Sequence, residues 1–264
     1  MSRTQVSLGL PRPGKALGAV MIGTTCIWVM FAVAINWAGG GQDLFAWLAG
    51  DSEAVLGGQI WRLLTAALIH DPRSPGHLLI SLMLLYFLGA PLEQRWGPWR
   101  MLGFLAASAA VAFATQVLVG AIVPSLGSPA WYGALGVGEA VAVAWAMGAR
   151  GQVVRLFFLV PVTPMLMVAF IFVMSVLAVF ARTATPEGLV TPFGGMLAGW
   201  ALSEGSPLRR LYLRLRLRRL QLEMAAMQRL RARQAESRRR ELRVIPGGRS
   251  EHEDEPPPDK GMLH

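Results

Sequence analysis

Charge is scarce in this chain. Only 16% of its 264 residues are charged and 53% are hydrophobic, where an ordinary soluble domain carries about 25% charged residues. With a mean hydropathy of +0.44, that balance excludes a water-soluble globular domain of this length. Cysteine is nearly absent. The one cysteine, Cys26, sits inside an apolar run, which excludes a disulfide framework and a cysteine metal site. Lysine is nearly absent too: 23 of the 25 basic residues are arginine, and 13 of those lie between Arg209 and Arg243. The net charge of +9 therefore describes mainly one segment. Such a segment fits nucleic acid or anionic lipid. Beside an apolar domain, lipid is the simpler partner, and no nucleic acid is expected.

What is present is a series of long apolar runs. Residues 1–15 form a polar, basic start with Arg3, Arg12 and Lys15. Residues 16–39 follow as a run longer than a secretory h-region, read as an uncleaved first span. Further spans are predicted from His77 to Gly97, about Met101 to Val123, Gly133 to Gly148, about Val153 to Phe180, and about Gly188 to Leu202. The fourth and sixth fall below the usual ~20 residues and require shielding by the longer helices. Six spans put both ends on one side. With the ends inside, inner segments hold Arg3, Arg12, Lys15, Arg95, Arg100, Arg150 and Arg155 even without the tail, against Arg62, Arg73 and Arg182 outside. Seven against three satisfies the positive-inside rule. The expectation is a multi-pass protein of a bacterial-type inner (plasma) membrane with both termini cytoplasmic.

Between the first two spans, QIWRLLTAALIH (59–70) has helical apolar spacing and is expected to lie in the membrane interface, with Trp61 and Arg62 at the headgroups. After Ser206, Leu213, Leu217, Leu220, Met224 and Met227 make a 4-3-4-3 stripe on a basic helix over 205–245. That helix is solvated, surface-lying or self-associating. Residues 246–264 are acidic and Pro-rich, and are expected to be disordered.

Four stretches together resemble the rhomboid family of intramembrane serine proteases, over roughly residues 17–204. QIWRLLTAALIH is similar to the family's Trp-Arg loop helix ending in a His. HLLISLMLLYFLGAPLEQRWG is similar to its second span, with His77, Ser81, Gly89, Glu93, Arg95 and Gly97 in place. GALG at 133–136 stands where the family has G-x-S-G, and TPFGGMLAG at 191–199 stands where it has A-H-x-x-G-x-x-x-G, with Gly195 and Gly199 kept. The resemblance implies an all-α membrane protein: a six-transmembrane-helix rhomboid-like bundle over 16–204, with an interfacial loop helix and a basic cytoplasmic tail helix.

The departures fall on the chemistry. The family's nucleophile position is Leu135 and its base position is Pro192. Its oxyanion-binding Asn matches Ser81, and His77 alone is kept. Leucine has no nucleophilic atom and proline accepts no proton, so the serine mechanism lacks both partners. No G-x-S-G occurs elsewhere, and no His lies between His77 and His252. The resemblance therefore implies a member that has lost proteolysis and binds transmembrane segments without cutting them. Its candidate cleft is His77, Ser81, Gly133, Leu135, Gly136, Glu139, Pro192 and Gly195. Two rivals stay open. One is an active endopeptidase with a non-standard site, using His77 and Ser81 four residues apart on one helix face, with Glu139. The other is a scaffold acting through its tail, with anionic lipid at 209–243. Glu139 stands out as an intramembrane carboxylate. Either it lines a water-filled cavity, or it is protonated or bonded to His77 or a backbone group. The spacing of His70 and His77 does not suit a metal site shared with Glu139; no metal and no cofactor are expected. The glycines at 133, 136 and 138, with Gly195 and Gly199, are close-packing positions.

Overall fold

The computed structural model describes residues 11–149, 154–156, 160–183 and 185–241. The expectations for residues 1–10 and 246–264 lie outside these. The chain divides into two compact units, 1–212 and 213–264.

Helix α1 (Lys15–Asn36) starts against the carboxylate of Glu93, which accepts the Ala16 and Leu17 amides at 2.9 and 3.2 Å. These are donors that the first turn of a helix cannot satisfy itself. Three short helices follow: α2 (Gln42–Leu48), α3 (Ser52–Leu56) and α4 (Arg62–Thr65), the last running into a 3₁₀ turn at Ala66–Leu68. Helices α5 (Pro75–Leu84) and α6 (Ala90–Trp96) are joined by a π-helical turn at Leu85–Gly89 into one 22-residue apolar stretch. Pro91 has no N–H for the carbonyl one turn earlier, and the widened turn absorbs that loss. Helix α7 (Pro98–Ile122) carries much of the core through Met101, Phe104, Ala109, Phe113 and Val117.

Helix α8 (Leu135–Gly148) is buried along almost its whole length. At 1.5 Å per residue its 14 residues reach only about 21 Å. An antiparallel pair, β1 (Val154–Leu156) with β2 (Val160–Val162), then precedes α9 (Pro164–Ala181). The fifth apolar helix thus begins at Pro164 and not near Val153. Proline pushes the residue before it to extended backbone; Thr163 is extended and caps the helix by accepting the Leu166 amide. Helix α10 (Thr191–Leu202) packs along α8. A Cβ at Gly195 would overlap the Gly136 carbonyl, and one at Gly199 the Ala140 carbonyl. The two short helices are close enough to touch backbone to backbone, and α8 is covered by its neighbours. Among the described residues, four helical stretches are long and apolar enough to cross a membrane: α1, Pro75–Trp96, α7 and α9.

Helix α11 (Pro207–Glu241) begins in the first unit, where Glu204 binds Arg100 at 2.6 Å and Arg209 at 3.6 Å. Those two cations hold the Glu204 carboxyl below its usual range, against the opposing pull of partial burial. In the second unit the 213–241 stretch exposes Leu213, Leu217, Leu220, Met224 and Met227 together with arginines such as Arg214, Arg218, Arg229 and Arg233.

Candidate functional site

The loop before α8 is anchored by Trp131. Its backbone exchanges hydrogen bonds with Gly50 at 2.8 and 3.0 Å, and its ring stacks on Phe113 at 4.5 Å between centroids. Tyr132 then donates to the Pro186 carbonyl and Gly133 to the Ala66 carbonyl, so three loops converge here. Gly133 has φ +123°, and a Cβ there would run into Glu187 and the His77 ring. Only glycine meets both demands.

The centre of the site is Glu187. One of its oxygens, Oε1, accepts the Leu135 backbone N–H at 2.6 Å and lies 3.2 Å from His77 Nε2. The Asp71 amide donates to His77 Nδ1 at 3.3 Å. With Nδ1 accepting, the proton sits on Nε2, and a neutral His77 donates to Glu187. The Glu187 carbonyl in turn accepts from Thr191 Oγ1 at 2.5 Å, which ties the loop to the start of α10. Gln116 on α7 holds the same loop, accepting the Val190 amide at 2.9 Å. Burial pushes the Glu187 carboxyl above the usual range, while the hydrogen bonds from His77 and the Leu135 amide pull it back. Two N–H donors from different elements thus converge on one carboxylate oxygen. Donors so arranged stabilise negative charge on oxygen wherever it arises.

The sequence-derived candidates divide. His77, Gly133 and the Leu135 amide meet at Glu187. Gly136 and Gly195 form the contact between α8 and α10; Leu135, beside Gly136, and Pro192, three residues before Gly195, are half-buried. Ser81 is buried, and its hydroxyl donates to the His77 carbonyl at 3.2 Å, not to the imidazole. Glu139 is 9% exposed with Oε2 unpartnered; of the alternatives open for it, the bond to His77 is made by Glu187 instead. Arg62, expected at the headgroups, is buried. Its guanidinium binds Gln59 and collects the Ala46 and Ala49 carbonyls, bracing the loop between α2 and α4. Those carbonyls end a short helix and lack helical partners, which a planar cation with several donors satisfies. Trp61 stays half-exposed against Trp47. The His70 and His77 rings lie 5.0 Å apart, tilted by 52°. Among the described residues, no three His, Cys, Asp or Glu side chains group to hold a metal.

Glu187 is the residue that sequence reasoning missed. It was visible as the one acidic residue between Phe180 and Leu202, four before Thr191, but nothing local ties it to His77.

Together these features define a class: a multi-pass helical membrane protein whose polar site lies at the leading ends of two short, glycine-packed helices. The Rhomboid domain matches residues 57–205, more than half of the chain, and takes in His77, Leu135, Glu187 and Pro192. The chain belongs to the rhomboid family.

Proposed function

We propose that this is a six-span rhomboid-like protein that binds transmembrane segments of other membrane proteins without cleaving them. The observation that carries the reading is the double occupation of one Glu187 oxygen by the Leu135 N–H and His77. Acyl transfer needs such donors free for the oxygen that becomes negative, together with a nucleophile and a base. Here the donors are taken, and the nucleophile and base positions hold Leu135 and Pro192. What remains is a polar, glycine-lined site beside helices that approach closely, the kind of surface on which a polar transmembrane segment finds partners.

The short helices α8 and α10 complete six spans in this reading, covered by longer neighbours. The arginine distribution supports cytoplasmic termini in a bacterial-type inner membrane, and the arginines of 209–243 support attachment to anionic lipid. The rival His77–Ser81 dyad is disfavoured on geometry: the Ser81 hydroxyl points to a backbone carbonyl and the imidazole is committed on both nitrogens.

Two measurements test the reading. A serine-directed fluorophosphonate should leave the purified full-length protein unlabelled, and labelling that Ser81→Ala abolishes would overturn it. A photo-crosslinking residue at 135 should yield adducts with intact membrane proteins in native membranes. Adducts with lipid alone, or with cleaved fragments, would count against it.

A further inference from the structure

Helix α11 carries its arginines in two sets. Arg214, Arg218, Arg229 and Arg233 are exposed. At about 100° per residue they share one arc of about 100°, whose middle lies about 150° round the helix from the middle of the Leu213–Met227 stripe. Leu215, Leu222 and Glu236 fall in the same arc. Arg216, Arg231 and Arg238 instead flank or interrupt the stripe. The stripe and those three arginines suit one surface, such as a bilayer. The four-arginine face then points away from it.

That face lacks counter-charge. Arg214 with Arg218, and Arg229 with Arg233, are like charges one turn apart, a spacing that weakens a helix. Among the described residues, the one ion pair within 213–241 joins Arg219 to Glu223 at 3.5 Å. Carboxylates follow in the sequence. Residues 251–259 hold Glu251, Glu253, Asp254, Glu255 and Asp259, with no lysine or arginine. Pro246, Gly247 and Gly248 stand between them and the helix, a composition that turns a chain back on itself. Ten residues on from Glu241, Glu251 has a reach of up to about 35 Å, while Arg229 lies about 18 Å back along the helix. So short a tether keeps the segment at an effective concentration of about millimolar.

We propose that residues 251–259 fold back and dock on the four-arginine face of α11 in the same chain. Single exposed ion pairs contribute little. Here several act together through one tether, and the docking weakens as salt screens them. The two faces of the helix thereby take different partners, and the docking is independent of the Glu187 site and of any lipid on the stripe side.

Double electron–electron resonance on the full chain in neutral phosphatidylcholine nanodiscs tests this, with spin labels at Ala226→Cys and His252→Cys in a Cys26→Ala background. At low salt the labels should give a short, narrow distance peak. At about 0.5 M salt it should give way to the broad distribution near 30 Å of a free tether. Arg229→Glu with Arg233→Glu should abolish the peak at low salt, and adding Glu253→Arg with Glu255→Arg should restore it. With anionic phosphatidylglycerol in the disc the peak should persist. A broad distribution at low salt, a peak indifferent to salt or to the arginine reversals, or no restoration by the swap would overturn the proposal. So would a peak lost to phosphatidylglycerol, which would make this face a lipid surface. A short distance between two chains that carry one label each would place the docking between copies and overturn it as well.

Discussion

At the scale of single residues, Glu187 joins more of the site than any other side chain. Glu187→Ala would orphan the Leu135 N–H and His77 Nε2–H. At about 1–3 kcal/mol for each buried unpaired group, the unfolding midpoint in detergent should fall clearly. Glu187→Gln, which keeps one acceptor oxygen, should fall less; equal loss in the two variants would mean that the acceptor is not what matters. His70 sets a pH dependence. Its folded pKa of about 3 lies below the ordinary histidine value of 6.5, so between those values the unfolded chain binds the extra proton. Stability from this group is complete above about pH 6.5 and declines toward pH 3 by at most roughly 1.4 kcal/mol per pH unit. Thermal midpoints taken from pH 7.5 down to 5 should show that slope, and His70→Phe should flatten it. An unchanged slope in the variant would assign it to other groups. His77 and the Leu135 position were legible in the sequence because each sits inside a short local motif. Glu187 was not, because its bond to His77 joins residues 110 apart.

At the scale of elements, the contact between α8 and α10 is the tightest. Gly195→Ala would drive a methyl into the Gly136 carbonyl, and Gly199→Ala would do the same to that of Ala140. A backbone carbonyl cannot swing aside, so each should cost about 3 kcal/mol, the upper end for overpacked sites. Gly103, with nothing within 4 Å of its would-be Cβ, is the control, and its Ala variant should unfold like the unsubstituted chain. Unfolding curves of the three in one detergent decide the point. The glycine spacing announced close packing; which helix lay opposite was settled by the fold. The start of α9 shows the reverse case. Apolar composition carried the expected helix back to Val153, although Pro161 and Pro164 already marked a break that hydropathy ignores.

At the scale of the whole molecule, the two units should separate. Removing 213–264 should leave the 1–212 unit folded in detergent. A peptide covering 207–241 should float with anionic liposomes and lose binding as salt rises, since exposed arginines act through a screened field. Binding indifferent to salt would point to the exposed leucine and methionine stripe instead. If capture of membrane proteins at position 135 survives the truncation, the tail is not the binding element; if capture is lost, the scaffold reading replaces the cleft.

The sequence by itself determined that this is a multi-pass helical membrane protein of the rhomboid type. Hydropathy, arginine bias and short motifs are all encoded within a turn or two of chain. It also puts leucine at 135 and proline at 192, the positions that the proposed reading assigns to nucleophile and base, because a residue's identity needs no coordinates. Only the tertiary structure decided what the remaining polar groups do. Partners drawn from 52 and 110 residues away close on Glu187, Arg62 turns inward to loop carbonyls, and Glu139 and His70 are left with unpaired atoms. Burial and hydrogen bonding in a membrane domain are properties of packing between helices, and no local pattern carries them.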